Sequence, residues 1–143
     1  MYKNNYNTKK LSDNKKLSDN KKLCNTKKLC NTKKLKNKII AVDFDGTLVE
    51  NKYPSISRPN YFLIARLIEL SKDNTLILWT CRNGKELQDA MDFCTALGLK
   101  FDYVNENSKE ILDAYNNVDS RKITADIYID DKNVSISDFL ESI

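Results

Sequence analysis

The sequence predicts an α/β domain of three layers, a mainly parallel sheet between helices, and three observations predict it. Short apolar runs alternate with stretches of helical periodicity from residue 39 onward. Each apolar run ends in polar or acidic residues, as buried parallel strands do where they reach the sheet edge. The alternation itself calls for crossover connections, which lay helices against a parallel sheet.

The chain of 143 residues divides before that pattern begins. From Lys9 it reads KKLSDN, KKLSDN, KKLCNT, KKLCNT, KKLKNK, so Leu11, Leu17, Leu23, Leu29 and Leu35 recur every six residues. At about 100° per residue, successive leucines are displaced by roughly 240°, and a helix there has no face to bury. One apolar side chain per hexad does not offset the entropy of ordering the backbone. Residues 1–37 are therefore expected to be a disordered, low-complexity, Lys-rich tail, and residues 38–143 the folded domain. Charge divides the same way. Residues 1–38 hold 13 Lys and 2 Asp, a net +11, and residues 39–143 hold 11 Lys+Arg against 18 Asp+Glu, a net −7, which together give the chain's +4. A solvated repeat is the plain reading of the tail; weak nucleic-acid contact is the functional one, because a Lys-rich arm attracts polyanions.

In the body, residues 39–44 form the first expected strand, running into Gly46. Pro59 stands where a first helical position is expected, and Ile64, Leu67, Ile68 and Ser71 line one helical face. Residues 76–80 read as a second buried strand. Asn83 and Glu86 resemble a capping pair, followed by Leu87, Ala90, Met91, Cys94 and Leu97 at helical spacing, with Gly98 as a stop. Residues 101–104 are a third strand, 108–115 a weak helix, 125–129 a fourth strand, and 134–143 a closing helix or strand. These elements fill the chain, leaving room for a flap around residues 50–57 but not for a separate cap domain.

Composition excludes several classes of chemistry. There is no His, and the four cysteines form no CxxC pair, so a zinc site is not expected and the commonest general base is missing. Nothing resembles a secretory leader or a spanning run of about 20 apolar residues, so no membrane span is expected, and a reducing cytoplasm is the expected location.

Ligands of parallel sheets collect at the carboxyl ends of the strands. Asp43 and Asp45, Thr80, and Asp130 with Asp131 all fall there. Carboxylates crowded at one rim repel one another unless a cation is present. Mg2+, a hard ion that prefers oxygen ligands and recruits phosphate, is the expected cofactor. It would also relieve the repulsion between an attacking carboxylate and a phosphate dianion, helped by a Lys ammonium.

The hexapeptide D-F-D-G-T-L at 43–48 resembles the first signature of the haloacid dehalogenase superfamily of hydrolases. The resemblance implies a Rossmann-like hydrolase domain with Asp43 as the nucleophile that becomes an aspartyl phosphate. Asp45 would protonate the leaving oxygen and then activate water, its backbone carbonyl serving as a metal ligand. Gly46 would turn the chain away from the site and Thr47 would brace that turn. Thr80 resembles the second signature, its hydroxyl and nearby amides orienting the phosphoryl group, with Arg82 either on the substrate phosphate or in a surface ion pair. Lys122 resembles the third, the phosphate-screening Lys, although it precedes Asp130 by only eight residues and Arg121 is a substitute. Asp130 and Asp131 resemble the fourth, acidic and metal-holding. The runs W-T-C-R at 79–82, V-N-E-N at 104–107 and R-K-I-T-A-D-I-Y-I-D-D at 121–131 are similar to those of small capless bacterial and phage hydrolases.

The expected activity is Mg2+-dependent hydrolysis of phosphate monoesters, small or macromolecular. The alternative is a non-catalytic phosphate-binding protein, or a nucleic-acid-associated one acting through the basic tail. Trp79 and Tyr128 read as core and Cys81 as a small rim residue; Asn105, Glu106 and Asn107, after the third strand, either line the mouth of the site or form a polar loop, the loop being the plainer reading.

Overall fold

The structure, a computed structural model, describes residues 35–142; the repeat tract through Lys34, including Cys24 and Cys30, lies outside the described residues. Strands and helices alternate as β1 (Ile39–Val42), α1 (Tyr61–Leu70), β2 (Thr75–Leu78), α2 (Gly84–Ala96), β3 (Tyr103–Val104), α3 (Lys109–Ala114), β4 (Ile127–Ile129) and α4 (Ile136–Glu141). Every strand pairing within the sheet is parallel, in the order β3-β2-β1-β4. The fold is thus α/β and Rossmann-like. No helix among the described residues is long and apolar enough to cross a membrane.

Strand pleating sorts the core into two faces. Ile40, Val42, Leu76 and Leu78 point into the larger core, where they meet Ile64 and Leu67 of α1 and Ala90 and Cys94 of α2. Ala41 and Ile77 point the other way, into a smaller core with Ile123, Trp79 and Tyr128. Each fully buried aliphatic side chain contributes about 1.5–3 kcal/mol relative to exposure.

The sheet order explains why α1 and α2 share one face. The chain steps β1 to β2 to β3 in one direction, and right-handed crossovers place both intervening helices on the same side. It then doubles back past β2 and β1 to add β4, which carries the connection 105–126 to the opposite side. That second layer is thinner than helices on both faces would make it: α3 buries no residue, and Ile123, in an irregular stretch, supplies the buried contact.

Three local expectations are corrected. Pro59 is not a first helical position. It pairs with Val49 in an antiparallel bridge, and Asn60 caps α1 instead, its side-chain oxygen accepting from the Leu63 amide at 3.2 Å. Asn83 stands at the N-cap of α2 with extended backbone but makes no side-chain capping bond, so it and Glu86 do not form a capping pair. The second strand stops at Leu78, placing Trp79 and Thr80 just beyond the sheet edge.

Between β1 and α1 the chain makes a hairpin flap rather than a further domain. Val49 bridges Pro59, the Glu50 amide donates to the Arg58 carbonyl at 2.9 Å, and the Glu50 and Arg58 side chains pair at 2.6 Å.

Candidate functional site

The strand register brings the site together. Val42 is aligned with both Leu78 and Ile129, and Leu78 with Val104, so the residues that follow leave the sheet at one level. Backbone bonds hold that level: Asp43 N–H to Ile129 O at 2.9 Å, Trp79 N–H to Val42 O at 2.9 Å, and Asn105 N–H to Leu78 O at 2.8 Å. Parallel sheets form their crevice where the direction of strand addition reverses, and here that point lies between β1 and β4.

One carboxylate oxygen from each of Asp43, Asp130 and Asp131 lies within 4.8 Å of the others. Burial raises the Asp43 pKa above its ordinary value, and the charges of Asp130 and Asp131 push the same way, against hydrogen bonds from the Phe44 amide and the Thr47 hydroxyl. Thr47, itself buried, links the two strand ends. Its hydroxyl donates to Asp43 Oδ2 at 3.1 Å and accepts the Asp131 amide at 2.9 Å. Gly46 adopts φ +95°, in the region that disfavours side chains, and a Cβ there would collide with the Asp131 carboxylate. Three oxygen-donor carboxylates gathered this closely, two of them half-buried, suit a hard divalent cation such as Mg2+, which would offset their mutual repulsion.

Asp45, two residues on, faces away from this cluster. Both its oxygens are taken by Arg82, Nε to Oδ2 at 2.7 Å and Nη2 to Oδ1 at 2.8 Å. Arg82 also donates to the flap carbonyls of Pro54 at 3.0 Å and Ser55 at 3.1 Å, and its guanidinium lies 4.8 Å from the centre of the Phe44 ring.

Thr80 is held by its neighbours. Its amide donates to Asn105 Oδ1 at 2.8 Å and its hydroxyl accepts the Arg82 amide at 3.2 Å. The Cys81 amide makes no hydrogen bond among the described residues, and Cys81 is exposed beside it. Two cavities border the rim, one of about 470 Å³ along Gly46, Thr47, Glu50, Arg58 and Tyr61, the other of about 330 Å³ along Trp79, Lys122, Tyr128 and Asn133.

A solved structure described as a conserved protein from Bacteroides thetaiotaomicron is 41% identical over 68% of this chain and 78% of that one, with a TM-score of 0.61. The chain belongs to that protein's family. No family model matches the chain, and no curated protein matches it.

Against that shared fold, the expected residues sort into those the rim unites and those it does not. Asp43, Asp130 and Asp131 meet, with Gly46 and Thr47 fitted around them. The Asp45 side chain does not join them. Arg82 is neither a surface ion pair nor open to a phosphate: it is 1% exposed and saturated by Asp45 and backbone carbonyls. The amides of Thr80 and Arg82 are likewise engaged, leaving the Cys81 amide and the Thr80 hydroxyl proton for a ligand. Lys122 is exposed and makes no ion pair among the described residues, and Arg121 is exposed beside it.

Two contributors were missed or undervalued. Asn105, read as mouth of the site or loop with the loop preferred, adopts φ +54°, which Asn tolerates better than most residues, and it turns its side chain onto Thr80. Asn107, also read as loop, is buried and bonds Asp119 and the Thr124 amide, fixing the segment that leads to β4. A strand-end Asn before a helix cap was the signal available for either.

Proposed function

We propose that this chain is a Mg2+-dependent phosphohydrolase of the haloacid dehalogenase type that hydrolyses phosphate monoesters through an aspartyl phosphate on Asp43. The observation that carries the reading is the meeting of Asp43, from the end of β1, with Asp130 and Asp131, from the end of β4. Asp43, Asp130 and Asp131 would hold the ion. When bound, it would supply positive charge to the phosphoryl oxygens and to the crowded carboxylates.

The chain's own residues account for the rest. An Asp43 oxygen forms a bond to phosphorus as the bond from phosphorus to the ester oxygen breaks, and Asp45, which must first part from Arg82 and take up a proton from solvent, supplies the proton that oxygen takes up. Water then attacks the aspartyl phosphate, Asp45 receives its proton, and inorganic phosphate leaves with Asp43 restored. For Asp45 to reach either oxygen, one of its two Arg82 bonds must open. Thr47 holds Asp43 in its attacking position, and the Thr80 hydroxyl with the Cys81 amide offers donors to the phosphoryl group. Lys122, free of any ion pair among the described residues, is the cation for the remaining phosphate charge.

The test is phosphate release with Mg2+ from aryl phosphates, nucleotides, phosphopeptides and end-phosphorylated oligonucleotides, comparing the native chain with Asp43→Asn. The substitution is expected to lower turnover by a factor on the order of 10⁴ or more. Release by the Asn variant at the native rate excludes the covalent route.

A further inference from the structure

We propose that the cavity between Trp79, Lys122, Tyr128 and Asn133 seats the leaving group of the substrate, and that this leaving group is a nucleoside whose base lies against the two aromatic rings. The proposal rests on the phosphohydrolase reading and names its substrate class.

The cavity takes its walls from the end of β4, which carries two carboxylates of the acidic cluster, and from the end of β2, which is aligned with the third through β1. Trp79 immediately precedes Thr80, and its amide bonds the carbonyl of Val42, the residue before Asp43. Asn133 closes the turn that carries Asp130 and Asp131, its amide donating to the Asp130 carbonyl at 3.2 Å. A phosphate at the cluster therefore has this space beside it. At about 330 Å³ the space is at the small end of ligand sites, enough for a base and its sugar.

The lining is specific. The centres of the Trp79 and Tyr128 rings lie 5.5 Å apart, inclined at 54°, and each ring is half-buried, one part against the smaller core and the rest open. Tyr128 is fixed from behind, its hydroxyl donating to the Ile123 carbonyl at 2.6 Å and accepting the Ala125 amide at 3.2 Å. Its ring is thus pre-positioned, and little entropy is lost on contact. Three polar groups on these walls have no partner among the described residues: the Trp79 indole N–H, the Lys122 ammonium and the Asn133 Oδ1, since the Asn133 amide nitrogen is the atom that bonds Tyr128 O, at 3.1 Å. Two π faces with donors and an acceptor at their edge suit a flat heterocycle bearing ring nitrogens and exocyclic groups. An alkyl or polyol leaving group has no face to offer the rings.

Trp79 is the chain's single tryptophan, so its fluorescence reports this wall directly. The full-length Asp43→Asn chain, which spares the ester from hydrolysis, is titrated with adenosine 5′-monophosphate, glycerol phosphate, phenyl phosphate and inorganic phosphate. Saturable quenching by the nucleotide alone is expected. Asn133→Ala, at an exposed position, and Tyr128→Leu should each raise its midpoint about tenfold, with Asn133→Ala sufficing if the Tyr128 variant does not fold. Equal quenching by glycerol phosphate or inorganic phosphate, equal binding of phenyl phosphate, or an unmoved midpoint in Asn133→Ala overturns the assignment. Quenching by the nucleotide with no phosphate release from any ester by the native chain overturns the hydrolase reading and leaves a nucleoside-binding cavity; release from glycerol phosphate but not from the nucleotide overturns the leaving-group assignment. Equal release from nucleotide and glycerol phosphate without quenching does the reverse.

Discussion

Arg82 is the side chain through which the flap, the turn after β1 and the start of α2 are held to one another. Its five hydrogens meet five acceptors: both oxygens of Asp45 and the carbonyls of Pro54, Ser55 and Glu86. A buried guanidinium is tolerable only with such a complete set. Removing it leaves the Asp45 carboxylate, only 18% exposed, without its counter-charge. Arg82→Met is therefore expected to lower stability by about 3–5 kcal/mol, read from urea unfolding. Arg82→Lys should recover only part, because an ammonium cannot bridge both oxygens. A loss under about 1 kcal/mol for the Met variant would mean the pair contributes nothing net. Gly46 makes a second prediction at this scale. Ala there combines an unfavourable φ with a clash into Asp131, so Gly46→Ala should weaken Mg2+ binding as well as the fold, measured by calorimetric titration. Unchanged affinity would place Asp131 outside the metal set.

At the scale of elements, the alignment of strand ends is what makes the cluster, and one exposed clasp helps to set it at the opposite edge. Asp126, just before β4, accepts from the Lys38 ammonium at 2.8 Å and from the Ile39 amide at 2.9 Å, while its own amide donates to the Ile39 carbonyl at 2.8 Å. The Lys38 bond, then the Ile39 amide, hold the Asp126 pKa below its ordinary value. A carboxylate depressed in the fold stabilises it above the unfolded pKa of about 3.9, and that contribution fades as pH falls through the folded value. The native chain should therefore exceed Asp126→Asn in urea midpoint by a constant margin from neutral pH down to about 4, the margin shrinking below that. A margin independent of pH down to 2 would show that the charge of Asp126 contributes nothing to the clasp.

The same elements show what the sequence could and could not reveal. The runs at β1 and β2 are continuous and apolar because both their faces are buried, so their existence and the acidic rim beyond them were legible. The strand ends pointed to Asp43, Asp45, Thr80, Asp130 and Asp131 together, and of the four carboxylates three meet. The Asp45–Arg82 pair, 37 residues apart, was not legible, because it depends on how the flap folds over and no local pattern encodes that. Nor was the Thr47 link to Asp131, 84 residues away. Pro59 misled because a proline suits a first helical turn and an edge strand equally well.

Across the whole described domain, the two sides of the sheet bury cores of unequal size. One side carries α1 and α2 over a core that includes Phe44, Leu67, Leu76 and Cys94; the other rests on Ile123 and the Trp79–Tyr128 pair. Local opening follows the side with fewer buried contacts. Cysteine chemistry reads the difference directly. Cys94 is 1% exposed in the larger core, and burial pushes its thiol up to about 11, so at neutral pH it is neither accessible nor ionised. Cys81 stands exposed at the rim. With a maleimide at pH 7 and peptide mapping by mass spectrometry, Cys81 should be modified in the native state, and Cys94 only at urea concentrations that unfold the whole domain. Its labelling midpoint should coincide with loss of helical circular dichroism, because α2 has no way to lift from the sheet without exposing Ala90, Cys94 and Leu99 together. Modification of Cys94 in native buffer at a rate close to that of Cys81 would mean that α2 opens independently, and the thicker side of the sheet would then not be the more stable one.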